Sequence, residues 1–282
     1  MDFLRIPKSS AIDNKNNNYK LDKFYLNMAR IHLIDGEKGG VGKSLFARVM
    51  VQYCIDKNQP YILVDADRTN PDVKKFYPEN ARETVFSEAL SKSHEADIIF
   101  ELARKENKPV IVNLPAQVYP LVTNWIKKGR LLEIADQYGV DVCKWFISNG
   151  GYDSVELFKR SLSDFGEKLP HIFVQNKGMT EEWGFLDSDG EYLELKQKYK
   201  KTMQLIEFPL LYPGDRYYID SKNLSFDAAR NSDDMPIMSQ QRMHTFLEET
   251  YWQIELTEML APSKQPKKKE KDATKESTPA NA

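Results

Sequence analysis

Short apolar runs recur along the middle of the chain and alternate with longer amphipathic stretches. The runs are rich in Ile, Val and Leu, which is typical of strands buried on both faces, and they lie at 31–35, 61–65, 110–113, 142–148, 172–175 and 204–208. Apolar residues spaced three or four positions apart predict helices between most of them, at 44–56, 95–107, 123–138 and 154–166. This alternation predicts an α/β fold with a doubly wound, mainly parallel sheet flanked by helices.

Two further stretches lie towards the C-terminus. Residues 187–201 are highly charged and predict a solvated helix or an insertion. After Pro236, apolar residues again recur at helical spacing, at Met243, Phe246, Leu247, Tyr251 and Ile254. We expect this last helix to dock on the sheet.

Both ends of the chain lack this periodicity. Residues 1–27 are rich in Asn and Lys, and residues 262–282 consist mostly of Lys, Glu, Ser, Thr and Pro. Such segments cannot bury enough apolar surface to form a packed core. We therefore expect a flexible N-terminal extension, one domain over 28–261 and a disordered charged tail. Met28 directly precedes the first strand, and a translation start there is the alternative to a flexible arm.

Composition narrows the class of protein. The chain has 282 residues, of which 41% are hydrophobic, enough for one sizeable core. Its net charge of −2 gives no global sign of nucleic-acid binding, so any basic surface must be local. Cys54 and Cys143 lie inside apolar runs, as expected for core residues in a reducing compartment. No apolar run approaches the roughly 18 residues of a spanning helix, and we expect a cytoplasmic protein without a membrane partner.

A glycine-rich turn follows the first strand. A loop that wraps around phosphate groups needs residues without Cβ, because its backbone N–H groups must approach the oxygens closely. The helix after the turn directs its unpaired N–H groups and its positive dipole end at the same anion. The residues predicted to bind the nucleotide here are Glu37, Gly39, Gly40, Val41, Gly42, Lys43, Ser44 and Leu45. Among them, Lys43 is expected to reach the β- and γ-phosphates and Ser44 to ligate Mg²⁺.

Two carboxylates, Asp65 and Asp67, follow the second apolar run. Their spacing places both on one side of a strand at its carboxyl end, where ligands bind in open α/β sheets. A helix cap or a turn before Pro71 is the alternative interpretation.

The sequence Lys38-Gly39-Gly40-Val41-Gly42-Lys43-Ser44 resembles the deviant Walker A motif of the ParA/MinD-like ATPases. Glu37 stands where the general phosphate-loop pattern has its first glycine, and members of that family often carry a different residue there. The resemblance implies that ATP and Mg²⁺ are bound, with Lys38, Lys43 and Asp67 as catalytic residues. It also implies that Lys38 contacts the nucleotide of a second subunit, in a homodimer that forms when ATP is bound.

The same resemblance gives roles to residues at other strand ends. It implies that Asp67 orients the attacking water and that Asp65 holds Mg²⁺ through a water near Ser44. Asn113 stands where the family has the Walker B acid. An amide can still bond a metal-bound water but brings no negative charge, so we expect weak Mg²⁺ binding and slow hydrolysis.

The base is expected to lie beside two further strand ends. The resemblance makes Asn176 a candidate for reading the adenine edge and Pro209 a residue that flanks the base.

A narrower resemblance is to plasmid-borne conjugal-transfer and mobilisation proteins of the TraL, StbB and MobD type. It is carried by residues 28–32, 224–229 and 238–242. The resemblance implies an ATPase that positions or mobilises cargo such as plasmid DNA, with a plasmid-encoded partner protein. Lys127, Lys128 and Arg130, and the lysines of 264–271, are candidate contacts to DNA phosphates. A solvated charged face is the other interpretation of both clusters.

Three alternatives remain open. A non-hydrolysing regulatory module that binds ATP and a partner would accommodate Asn113. A bacterial tyrosine-kinase domain shares the pattern Asp65-Ala66-Asp67-Arg68, although residues 262–282 contain no Tyr. A metabolic enzyme of the dethiobiotin-synthetase or cobyrinate type would share the phosphate loop.

Overall fold

The computed structural model describes residues 29–68, 70–79, 81–89 and 91–260. The predicted N-terminal extension and charged tail lie outside these residues, as does Met28. Within them the strands are β1 Arg30–Asp35, β2 Ile62–Asp65, β3 Ala81–Glu83, β4 Val110–Asn113, β5 Asp141–Ser148, β6 His171–Asn176 and β7 Met203–Phe208.

Helices connect the strands and follow the last one. They are α1 Lys43–Asp56, α2 Asp72–Phe76, α3 Asp97–Glu106, α4 Tyr119–Lys128, α5 Leu131–Tyr138, α6 Tyr152–Phe165, α7 Gly190–Lys198, α8 Pro213–Ser221, α9 Phe226–Arg230 and α10 Ile237–Leu256. A short 3₁₀ turn, Gly184–Ser188, precedes α7.

The strands form one sheet in the order β3-β2-β4-β1-β5-β6-β7. Every pairing is parallel, from Leu63 beside Ala81 at one edge to Asn176 beside Phe208 at the other. The parallel arrangement brings the carboxyl ends of all the strands to one edge of the sheet. The predicted fold class, a doubly wound parallel sheet, is confirmed.

Apolar side chains cover both faces of the sheet. One face packs against α1, α8, α9 and α10, and the other against α3 to α7. Alternate residues of β1 belong to the two faces: Ile31 and Leu33 pack on one side and Ile34 on the other. The helices after β1 and β4 therefore lie on opposite faces, and a crevice opens between these neighbouring strands at their carboxyl ends.

Two predictions about elements were wrong. The single helix expected at 123–138 is two helices, because Gly129 and Arg130 interrupt it and Arg130 has a left-handed φ of 50°. The edge strand β3 was not predicted, because it has only three residues, two of them charged, and shows no apolar alternation.

Other expectations are confirmed. The last helix, α10, buries all five apolar residues predicted to face the sheet. The charged stretch after 187 contains helix α7, whose own Tyr192 is buried. Cys54 and Cys143 are both buried and unpaired in the core. Over the described part of the chain, no helix is long and apolar enough to span a membrane.

Candidate phosphate-binding site

The turn between β1 and α1 surrounds an open space. Gly40 and Gly42 have left-handed φ angles of 77° and 106°, which residues with side chains rarely adopt. A Cβ built on Gly39 or Gly40 would meet no atom within 4 Å. The loop thus has the open, side-chain-free concave surface that a phosphate group requires.

Lys43 lies buried at the base of this loop. Its Nζ donates hydrogen bonds to the carbonyl oxygens of Gly36 at 2.8 Å and Lys38 at 2.9 Å. Burial lowers the pKa of Lys43, and three nearby carboxylates partly offset the effect. The amine is therefore held by the loop's own backbone, in the first half of the loop.

The second half of the loop is braced by Asn176, at the end of β6. The side-chain Nδ2 of Asn176 donates to the carbonyl oxygen of Val41 at 2.8 Å, and its Oδ1 accepts from the N–H of Gly178 at 3.0 Å. A Cβ on Gly42 would lie 2.6 Å from that Nδ2, so only glycine fits there. Asn176 is buried and engaged through both amide atoms, and its role towards adenine stays a prediction.

The loop after β7 lies beside the loop after β6. The backbone N–H of Lys177 donates to the carbonyl oxygen of Phe208 at 2.8 Å, and a Cβ on Gly178 would lie 3.4 Å from a methyl group of Leu210. Pro209 is half-buried between Phe208 and the exposed Leu210. Asn176, at the end of β6, and Pro209, directly after β7, are therefore on neighbouring segments.

Lys38 forms an ion pair within its own chain. Its Nζ lies 2.5 Å from the Oδ2 of Asp153, in the first turn of α6, and both side chains are largely exposed. Exposed pairs of this kind contribute little to stability, about 0–1 kcal/mol. The predicted contact of Lys38 with a second subunit would need this pair to open.

A buried ion pair lies directly beneath the loop. Asp35 ends β1, its Oδ1 accepts from the N–H of Gly36 at 2.7 Å, and its Oδ2 lies 2.9 Å from the Nζ of Lys144 on β5. Lys144 also donates to Ser161, whose hydroxyl contacts His171 at 3.0 Å. Burial and the charge of Lys144 lower the pKa of His171 to about 3, so its imidazole is neutral.

Glu37 connects the loop to the segment after β4. Its carboxylate Oε2 accepts from the N–H of Tyr119 at 3.0 Å, and its carbonyl oxygen accepts from the N–H of Gln117 at 2.8 Å. Burial, followed by the charge of Asp35, raises the pKa of Glu37. The residue that replaces the usual glycine thus caps the start of α4.

Asp65 is a fully hydrogen-bonded carboxylate. Its Oδ1 accepts from the N–H of Asp67 at 3.2 Å and from the Nδ2 of Asn113 at 3.1 Å, and its Oδ2 accepts from the N–H groups of Val73 at 3.2 Å and Lys74 at 3.1 Å. It therefore anchors the first turn of α2, which fits the cap interpretation. Its role in metal binding stays a prediction.

Asp67 and Asp65 differ in their surroundings. Asp67 lies just beyond the end of β2 and is half-buried, and its Oδ1 accepts from the N–H of Asn70 at 3.1 Å. Its charge also acts on Lys43. Asp67 is thus near the phosphate loop, as its predicted role requires.

Asn113 provides an oxygen suited to a hydrated cation. The residue is fully buried, its amide nitrogen donates to Asp65, and its Oδ1 has no hydrogen-bond partner. A buried carbonyl oxygen without a partner is costly unless a water or an ion satisfies it. Ser44, half-buried at the start of α1, has the hydroxyl that would bind the cation together with this Asn113 oxygen. Across the described residues, no group of three or more His, Cys, Asp or Glu side chains could hold a metal alone.

The candidate DNA cluster is partly neutralised by acidic residues. Lys127 pairs with Asp164 at 2.9 Å, and Arg130 pairs with Glu133, while Lys128 is exposed. The lysines of 264–271 lie outside the described residues. The structure thus gives the cluster mixed charge.

The sequence interpretation missed Lys144 and Gln117. A lysine inside the apolar run 142–148 is itself a signal, because a buried charge needs a partner. Gln117 has no comparable signal, since only its backbone conformation and its bond to Glu37 distinguish it.

No family model matches the sequence. The chain is similar to two Escherichia coli proteins named TraL, one 24% identical over 228 residues, covering 77% of this chain and 93% of the relative, and one 22% identical over 240 residues, covering 81% and 98%. It is also 29% identical over 205 residues to the protein MobD of Acidithiobacillus ferrooxidans, covering 71% and 86%. These likenesses agree with the predicted resemblance to the TraL and MobD type, whereas the ParA/MinD subtype stays a prediction.

Two solved structures have a distant likeness to this fold. A nucleotide-binding protein in complex with ADP from Archaeoglobus fulgidus is 17% identical, with a TM-score of 0.42, covering 75% of this chain and 92% of that one. HypB from Helicobacter pylori in complex with nickel is 13% identical, with a TM-score of 0.37, covering 77% and 95%.

Proposed function

We propose that this protein binds ATP with Mg²⁺ and hydrolyses it slowly, and that it alternates between nucleotide states to position or mobilise plasmid DNA. The observation that carries the proposal is the phosphate loop. A buried lysine, Lys43, is held at the base of an open turn whose glycines leave space for an anion. Such a turn at a helix N-terminus is suited to a nucleoside triphosphate.

The metal would be held on the side of β2 and β4. Ser44 and the orphaned Oδ1 of Asn113 are the protein oxygens that fit it, with nucleotide phosphates supplying further ligands. When bound, Mg²⁺ would neutralise charge on the phosphates. Because Asn113 is uncharged, Mg²⁺ would bind more weakly here than beside a carboxylate, which supports slow turnover.

The relatives support the plasmid role. Proteins named TraL and MobD are similar to this chain over most of their length, and conjugal transfer and mobilisation move DNA. Basic residues such as Lys128 would contact DNA phosphates in a salt-dependent way. The ATP-bound form would be a homodimer in which Lys38 leaves Asp153 and reaches the second nucleotide.

ATP turnover with and without duplex DNA tests this proposal. We expect slow phosphate release that rises with DNA, falls when salt is raised and is lost in Asp67→Ala. A turnover rate that is the same with and without DNA at every salt concentration would contradict the plasmid-DNA role. Lys38→Ala should still bind ATP in a calorimetric titration but stay monomeric in light scattering, and an ATP-dependent dimer in that variant would contradict the role given to Lys38.

A second candidate function is favoured by Asn113. A regulatory module that binds ATP and a partner without hydrolysis would need no acid at this position. Tight ATP binding with no phosphate release, in the presence or absence of DNA, would support this function over the first.

A further inference from the structure

The loop's contacts define which end of a bound nucleotide lies where. Lys43 donates to the carbonyl oxygens of Gly36 and Lys38, so the amine that neutralises the β- and γ-phosphates lies at the first half of the loop. Asn176 braces Val41 and Gly42 in the second half, beside the loops where the base is expected. The first half of the loop therefore marks the γ-phosphate end.

The segment after β4, residues 114–118, is tied to that end. The N–H of Leu114 donates to the carbonyl oxygen of Ile34 at 3.2 Å, and the N–H of Gln117 donates to the carbonyl oxygen of Glu37 at 2.8 Å. The Glu37 carboxylate then accepts from the N–H of Tyr119 at 3.0 Å. Three hydrogen bonds thus fix the β4 segment along the crevice, beside the γ-phosphate end.

Gln117 is held in a strained backbone conformation. Its φ is +57°, in the left-handed region that costs a residue other than glycine about 1 kcal/mol or more. Its side chain is exposed to solvent. Strain that persists beside a binding site is often kept for function.

The acidic side chains near the crevice already accept hydrogen bonds, and the partnerless Oδ1 of the buried Asn113 can only accept one. Both oxygens of Asp65 each accept two hydrogen bonds, and Asn113 is buried against it. Asp67 accepts from the backbone of Asn70. Gln117 is exposed and its backbone N–H is bonded to Glu37, and its side-chain amide can both accept a hydrogen bond from a water and donate one to a phosphate oxygen.

We propose that Gln117 is a second catalytic residue that, alongside Asp67, orients the attacking water at the γ-phosphate, and that Glu37 is the positioning residue that holds Gln117 there. The inference rests on the proposed ATP hydrolysis. Gln117 Oε1 accepts a hydrogen bond from the water, and Nε2 donates to a γ-phosphate oxygen. The water oxygen bonds to the γ-phosphorus, the bond to the bridging oxygen breaks with its electron pair leaving on ADP, and the water proton ends on the released phosphate. The glutamine itself takes no proton, because an amide is not a base at neutral pH.

Replacement of Gln117 by glycine tests the catalytic role. Gln117→Gly removes the amide and relieves the left-handed strain, so the variant should fold at least as well as the wild type. We expect kcat for ATP to fall by at least about tenfold, with the Kd for ATP unchanged within about twofold. Asn107→Gly is the matched control, because Asn107 is an exposed left-handed residue at the far end of α3.

Variants of Glu37 test the positioning role. Glu37→Ala should lower kcat less than Gln117→Gly does. Glu37→Gln should keep the wild-type kcat, because its amide oxygen still accepts from the N–H of Tyr119. The double variant Gln117→Gly with Glu37→Ala should have the same kcat as Gln117→Gly alone. Independent, multiplying losses would overturn the role of Glu37.

The outcomes separate this inference from the proposed function. If the wild type and Gln117→Gly turn over ATP with the same kcat, the role of Gln117 is overturned and the proposed ATP hydrolysis is not. ATP binding without any phosphate release also overturns the role of Gln117 and leaves the regulatory module standing. A wild-type protein that binds no ATP overturns both.

Discussion

Two buried carboxylates, Asp35 and Asp65, end strands at the same edge of the sheet and are stabilised in opposite ways. Burial opposes the charge of Asp35, but the adjacent Lys144 outweighs it and lowers the pKa of Asp35. Burial raises the pKa of Asp65, and its hydrogen bonds from Asn113 and the backbone only partly offset this. One carboxylate is neutralised by a lysine, and the other is satisfied only by dipoles.

This difference separates the fixed part of the site from the part that can respond to a ligand. The Asp35 and Lys144 pair is complete without a nucleotide and supports Gly36 at the start of the loop. The Asp65 and Asn113 side keeps uncompensated negative charge and an oxygen without a partner. A cation brought in with nucleotide phosphates would complete that side.

The largest expected effect comes from breaking the buried ion pair. Asp35→Asn leaves Lys144 buried without a counter-charge, which should lower the free energy of unfolding by about 3–5 kcal/mol. Urea denaturation would measure the loss. The double variant Asp35→Asn with Lys144→Met removes both charges and should recover most of it, and a double variant as unstable as the single one would contradict the ion-pair interpretation.

The next effect tests the charge on the β4 side. Asn113→Asp places a carboxylate at the atom that now donates to Asp65 over 3.1 Å, so repulsion should lower stability by about 1–3 kcal/mol. Mg²⁺ with ATP should restore more stability, measured by thermal unfolding, than it gives the wild type. The matched control is Asn223→Asp, on the exposed turn after α8. An equal response to Mg²⁺ in Asn113→Asp and wild type would argue against a metal there.

The smallest effect is a difference in pH dependence. The pKa of Asp35 is lowered on folding, so its contribution to stability is present above its unfolded pKa of about 3.9 and is lost as the pH falls through the folded value. The pKa of Asp65 is raised, so its contribution is present below the unfolded value and is lost as the pH rises through the folded one.

Urea denaturation between about pH 3 and pH 7 would separate the two groups. The difference between wild type and Asp35→Asn should shrink towards acid pH, and the difference for Asp65→Asn should shrink towards neutral pH. Two variants with the same slope would show that the carboxylates are not oppositely stabilised.

Local features of this site can be predicted from the sequence, whereas contacts between residues far apart in the chain cannot. The glycine-rich turn between β1 and α1 could be predicted because consecutive glycines between a strand and a helix need no partner elsewhere in the chain. The bond from Asn176 to Val41 could not, because it depends on strand β6 lying close to the loop. The pairing of Asp35 with Lys144 likewise follows from the neighbouring positions of β1 and β5, which only the sheet order reveals.

Element boundaries show the same limit. Helical spacing located α10 because one continuous stripe of apolar residues faces the sheet. The same spacing continues through Gly129 and Arg130, so it predicted α4 and α5 as one helix. A left-handed residue changes the direction of the chain without changing the pattern of apolar positions. Gln117 was missed for a related reason, since its left-handed conformation and its backbone bond to Glu37 have no local sequence signal.

The central claim, that the loop at 36–44 binds a nucleoside triphosphate, is tested most directly by calorimetric titration of ATP with Mg²⁺. The wild type and Lys200→Ala, which changes an exposed lysine far from the loop, should bind with the same affinity, and Lys43→Ala should show no binding. Equal affinity in Lys43→Ala and the wild type would contradict the assignment of the site.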